Sequence, residues 1–186
     1  MIKKAYITII GVFLLTFITT GCFSYVARYD GTYRGKVIDA DTGEPIEGVV
    51  VLGVWNKGFS TPGGIVHEFY DARETVTDKN GEFEISGMGL RIISNLEPVD
   101  VLIFKAGYEH IGYMQWESLK EDILLRKKIK WEGNKPIIPL KKLTMEERKK
   151  RLIGKESIPD NKQKLLIREL NKEKRELGEP TYPEVE

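Results

Sequence analysis

Beyond residue 22 this chain has no cysteine; its single thiol is Cys22. Disulfides and thiolate metal sites cannot staple such a fold, so its stability has to come from hydrophobic burial. Histidine is nearly as scarce, with His67 and His110 the two in the chain, and neither belongs to a His-Glu-x-x-His run. A metallopeptidase needs a compact set of His and carboxylate ligands with an open position on the metal. His67-Glu68 and Glu109-His110 read more simply as strand histidines. No Gly-x-Ser-x-Gly elbow occurs, so nothing signals a hydrolase triad. No catalytic residue, metal or cofactor is expected. Net charge is missing too: 29 basic residues face 28 acidic ones. That balance gives no global field to gather nucleic acid or an acidic substrate.

What the chain does have begins at its N-terminus. Met1-Ile2-Lys3-Lys4 is positive, and residues 5–20 carry no charge. This stretch is shorter than the ~20 residues that span a bilayer, and it contains four threonines and a glycine. A cleaved export signal fits it better than a permanent transmembrane helix. The run Ile18-Thr19-Thr20-Gly21-Cys22 resembles the lipobox of bacterial lipoproteins, although Thr19 stands where an aliphatic residue is usual. The resemblance implies that residues 1–21 are a signal peptide and that Cys22 is acylated as the first mature residue. One acyl chain anchors only marginally, whereas several hold a protein at the bilayer essentially permanently. Phe23 rather than Asp follows, which by the sorting rule of Gram-negative lipoproteins implies the outer membrane. The chain is thus expected in a bacterial envelope, facing the periplasm or the cell surface.

Residues 22–31 read as a tether. Residues 32–143 are strand-like, with β-branched and aromatic residues often alternating with polar ones over 33–39, 48–55, 82–85, 99–104 and 108–113. Asp41-Thr42-Gly43, Thr61-Pro62-Gly63-Gly64 and Asp78-Lys79-Asn80-Gly81 punctuate them. Residues 144–178 change character. Thr144-Met145-Glu146-Glu147 has the capping-box form, and the helix it starts should end near Gly154. A second helix is expected from Ser157 or Pro159 to Leu177, with Gly178 as its stop and a modest stripe of Leu166, Ile167, Leu170 and Leu177. Residues 179–186 are expected to be a disordered tail.

Four motifs recur in order: Gly35-Lys36-Val37-Ile38-Asp39; Asp41-Thr42-Gly43-Glu44-Pro45-Ile46 leading into Val49-Val50-Val51; Thr75-Val76-Thr77-Asp78-Lys79-Asn80-Gly81-Glu82-Phe83; and Lys105-Ala106-Gly107-Tyr108. Together they resemble the carboxypeptidase regulatory-like domain. The resemblance implies an all-β, seven-stranded antiparallel Greek-key sandwich of the transthyretin-like kind, followed here by a short α-helical C-terminal extension. It implies no peptidase activity, because that family is an accessory domain. Each motif residue also has a plain structural use in a turn or buried strand. The chain departs from the family by a longer segment over residues 56–74, a candidate recognition surface.

The remaining candidates are surfaces. Trp55, Trp116 and Trp131, with His67, Phe69, Tyr70 and Tyr113, offer partner or sugar-stacking contacts, although large aromatics in a small sandwich are more often core. Asp39, Asp41, Glu44, Asp78 and Asn80 are the oxygen-rich set nearest to a calcium site, but turn chemistry already explains them. Arg126-Lys127-Lys128-Ile129-Lys130 and Arg148-Lys149-Lys150-Arg151 read first as solvated surface, then as contacts for lipid headgroups. The expected function is a non-catalytic, membrane-anchored binding or scaffolding module for an envelope protein, with glycan binding as the alternative. Nucleic acid is not an expected partner.

Overall fold

A computed structural model describes residues 27–92, 94–122 and 124–184. The leader and Cys22 lie outside them. Along the chain run β1 (Ala27–Asp30), β2 (Tyr33–Asp39), β3 (Val50–Thr61), β4 (Gly64–Val76), β5 (Glu82–Ile85), β6 (Gly89–Ile92), β7 (Asp100–Phe104) and β8 (Ile111–Gln115). There follow α1 (Ser118–Glu121), α2 (Leu125–Lys128), β9 (Lys130–Glu132), β10 (Lys135–Leu140), α3 (Met145–Lys150) and α4 (Lys164–Leu177). The chain divides into two compact units. The smaller contains β1 and β6, paired as an antiparallel ribbon. The larger, residues 32–86 and 96–186, holds everything else.

In the larger unit two four-stranded sheets, ordered β5-β2-β10-β9 and β4-β3-β7-β8, share a core. The architecture is mostly β, in keeping with an all-β sandwich. One pair departs from the expected antiparallel arrangement: β10 runs parallel to β2, with Ile138 opposite Val37. Strand β3 explains the layering. Its first six residues, Val50 to Trp55, are all buried, a continuous apolar run that suits a strand covered on both faces. Period-two alternation sorts them. Gly53 and Trp55 face the other sheet, where Trp55 meets Tyr33 at 6.3 Å between ring centroids. Val50, Leu52 and Val54 join Leu102 and Phe104 in a cluster completed by Leu166 and Leu170 of α4.

The C-terminal extension therefore packs back on the sheet. The capping box at Thr144 forms as expected, Glu147 N–H donating to Thr144 Oγ1 and Thr144 N–H to Glu147 Oε2. Helix α3 ends earlier than Gly154, at Lys150. Helix α4 starts at Lys164, after a short 3-10 turn at Asp160–Lys162, and stops at Gly178 in the left-handed conformation with φ 73°. Leu166, Ile167 and Leu170 are buried, each worth roughly 1.5–3 kcal/mol of transfer free energy. Within the expected tail Tyr182 is tied to α4: its N–H donates to Asn171 Oδ1 at 2.8 Å, and Asn171 Nδ2 donates to Tyr182 O at 3.0 Å.

Polar contacts lock the helix in place. Its first amides are capped from the sheet, Leu165 and Leu166 N–H donating to the two Glu74 oxygens at 2.9 and 2.7 Å. Glu169 and Glu173 accept from the backbone of Ala106 and Gly107, within the Lys105-Ala106-Gly107-Tyr108 turn. Buried Glu173 also receives Arg148 Nη2 at 2.6 Å and Arg151 Nη2 at 2.5 Å. Two members of the second basic cluster thus face inward instead of lying on solvated surface. Burial pushes the Glu173 carboxyl up, but hydrogen bonds from Arg148 and the Gly107 amide and the charge of Arg151 hold it below the ordinary carboxylate range.

Candidate functional site

The segment over 56–74 is not a loop. Strands β3 and β4 pair from Val50↔Val76 out to Thr61↔Gly64, making one long antiparallel hairpin. Neighbouring β7 covers β3 only from Val50 to Val54. Beyond that point an isolated bridge joins Lys57 to Leu96, and past it the hairpin is a two-stranded ribbon. A register shift falls at the transition, because Trp55 pairs with Asp71 whereas Asn56 pairs with Phe69. Tyr70 is the extra residue, and such a bulge bends and twists a ribbon away from its sheet. At the far end Thr61 Oγ1 donates to Gly64 O at 2.8 Å and closes the turn around Pro62-Gly63.

Residues 59–68 are exposed on both faces. Phe59 and Val66 sit opposite each other, 40% and 53% exposed, and Ile65 on the other face is 65% exposed. Open strand edges beside an apolar pair are what strand addition by another chain uses.

A polar network stands at the root of this ribbon. His67 Nδ1 lies 2.8 Å from Glu97 Oε2, and Glu97 N–H donates to Asn56 O at 2.9 Å. Gly58 makes room for this, since a Cβ there would lie 2.6 Å from Glu97 Oε1. Asn56 Nδ2 donates to Tyr113 Oη at 3.0 Å and to Asp100 Oδ2 at 3.3 Å. Burial raises the Asp100 carboxyl and the Tyr113 phenol above their ordinary values, with hydrogen bonds opposing the first shift. The arrangement fixes the ribbon's base. Among the described residues no group of three or more His, Cys, Asp or Glu is placed to hold a metal ion.

The aromatic candidates separate. Trp55 has no exposed surface and Trp116 is 9% exposed, so neither offers a face to a ligand. This corrects their place among the contact candidates: both complete the inter-sheet core, with Trp116 edge-on to Tyr33, Phe83 and Trp131. Phe69 is half-buried against the α4 cluster. Tyr70 and Trp131 stay partly open, but Lys57 Nζ lies 4.4 Å from the Tyr70 ring centroid and Lys120 Nζ 4.2 Å from that of Trp131. An ammonium already occupies one face of each. His110 is half-buried, and its pKa is lowered by burial and by Arg151. Cys22 lies outside the described residues.

The oxygen-rich turns do what their sequence suggested. Asp39 Oδ1 accepts from the Asp41 and Thr42 amides, and Asp78 Oδ1 from those of Asn80 and Glu82. Thr77 is a residue whose role the motif did not reveal: buried, it donates to Ile46 O and accepts from Val49 N–H, joining two motif segments. No helix of the described residues is long and apolar enough to cross a membrane. Compared with protein-family models, curated proteins and solved structures, the chain matches none.

Proposed function

We propose that this chain is a lipid-anchored protein of the bacterial envelope, without catalytic activity of its own, whose sandwich presents the outer β3–β4 ribbon to a protein partner. The observation that carries this reading is the exposed ribbon itself. Apolar Phe59, Ile65 and Val66 stand on open-edged strands beyond the sheet that supports their base. Exposed apolar groups clustered on a projecting element mark interaction sites more than stability devices do. The four sequence motifs support a transthyretin-like, carboxypeptidase regulatory-like topology for the sandwich, and the Cys22 motif supports the anchor. Glycan binding is the weaker reading, because stacking needs a free aromatic face and lysines sit over Tyr70 and Trp131.

Photo-crosslinking in whole cells tests the proposal, with the crosslinker placed at Phe59 or Val66 and, as control, at exposed Lys149. A defined protein adduct at the ribbon but not at Lys149 is the expected result. No adduct at the ribbon, together with polysaccharide retention that fails in Trp131→Ala or Tyr70→Ala, would replace it by the glycan reading.

A further inference from the structure

The smaller unit has its own unpartnered surface. In the β1–β6 ribbon Tyr29 stands opposite Leu90, and Ile92 lies two positions further along the same strand, so period-two alternation gathers Tyr29, Leu90 and Ile92 on one face. Tyr29 is 75% exposed, and Leu90 and Ile92 are each 64% exposed. The pairs between them, Arg28↔Arg91 and Asp30↔Gly89, line the opposite face. Asp30 turns inward, 3% exposed, where its Oδ2 accepts the Met88 amide at 2.6 Å. The ribbon is therefore fixed at one end and two-sided: one face tyrosine and aliphatic, the other bearing two arginines.

We infer that this ribbon is a membrane-interface contact, laying Tyr29, Leu90 and Ile92 against the phospholipid surface that holds Cys22. The inference rests on the lipid-anchored reading above and adds a docking element to it. Position carries the choice of occupant. Five peptide units separate Cys22 from Ala27, a reach of at most roughly 17 Å. An anchored chain thus holds the ribbon within that reach of the acylated residue, near enough for it to meet the headgroup layer. The chemistry fits that depth. Tyrosine is amphipathic and concentrates at membrane interfaces, with Leu and Ile below it. A single acylated cysteine leaves a protein free to swivel; a second contact would fix its orientation.

The test uses the full, acylated chain in phosphatidylcholine–phosphatidylglycerol vesicles. Once Cys22 is acylated, Leu90→Cys introduces the one reactive thiol, which takes an environment-sensitive fluorophore. Ile92→Cys repeats the measurement in case the first variant is disturbed, and Val66→Cys labels the other unit as control. Blue-shifted emission at 90 and 92, quenched several-fold more by lipids brominated high in the acyl chain than emission at 66, is the expected outcome. Water-like emission at all three positions, with mass spectrometry showing acylated Cys22, overturns the ribbon contact and leaves the anchor. A blue shift at 90 insensitive to brominated lipid, with dimer-sized particles in detergent, overturns it in favour of a second copy. An unacylated chain carrying Cys22→Ser with Leu90→Cys that still binds vesicles and is quenched at 90 supports the ribbon independently of the anchor.

Discussion

From Val50 to Trp55 the long hairpin is buried on both faces, while from Phe59 to Glu68 the same ladder is exposed on both. Local composition does not separate the two regions. Phe59, Ile65 and Val66 are as apolar and as strand-favouring as Val50, Leu52 and Val54. The difference lies in the neighbours: the inner half has the second sheet on one side and α4 on the other, and β7 beside it. Backbone pairing continues outward past the point where covering layers stop. Pairing alone therefore shapes a ribbon, and layers turn it into core. Apolar residues left beyond the layers are free to serve recognition.

The largest effect that would sharpen this contrast is Trp55→Ala. It should cost about 3–5 kcal/mol by urea unfolding, whereas Phe59→Ala should stay within about 0.5 kcal/mol. Similar losses at both positions would break the comparison.

Next comes the clamp that holds α4 over the inner half. Glu173→Gln leaves Arg151 facing a neutral group and Arg148 with the Glu176 carboxylate alone, and should cost about 3 kcal/mol at neutral pH. The sign with pH follows from the depressed carboxyl. Its stabilisation is present above the ordinary value of 4.5 and lost as pH falls through its lower folded value. Glu74 works in the other sense, its carboxyl being raised by burial against the amides it caps, so its ionisation weakens the fold as pH rises. Unfolding curves at pH 7 and pH 3 should show the parent losing more on acidification than Glu173→Gln; a parallel loss would remove Glu173 from the account.

A smaller change is expected at Thr144→Ala, about 1 kcal/mol from loss of the α3 cap. Full retention of stability would make that helix incidental to the clamp. Smallest in stability is the pair Phe59→Ser with Val66→Ser, expected within roughly 1 kcal/mol by thermal unfolding while abolishing the ribbon's protein adduct. Loss of folding instead would assign those side chains to the core.

Much of the inner architecture is legible in the sequence because its signals are local. Alternation shows in Glu82-Phe83-Glu84-Ile85, the cap in Thr144 with Glu147, and the stop in Gly178. The features that escape sequence reading depend on partners far along the chain. Glu74 caps a helix 91 residues away, Glu173 meets Gly107 across 66 residues, and β10 returns to lie parallel to β2. Nothing near Glu74 or Glu173 sets them apart from other surface acids. The outer ribbon is legible in the sequence only as a long segment, because polar Lys57, His67 and Glu68 mask its strand pattern. Trp55 and Trp131 look alike as residues; only the layers above them decide which is buried.

Residue-resolved hydrogen exchange tests the central contrast most directly. Amides from Val50 to Val54 should exchange only through global unfolding, and those from Phe59 to Glu68 through local opening, orders of magnitude faster. Uniform protection along the whole hairpin would mean that the outer ribbon is itself covered core, and the account of it as a free recognition surface would be wrong.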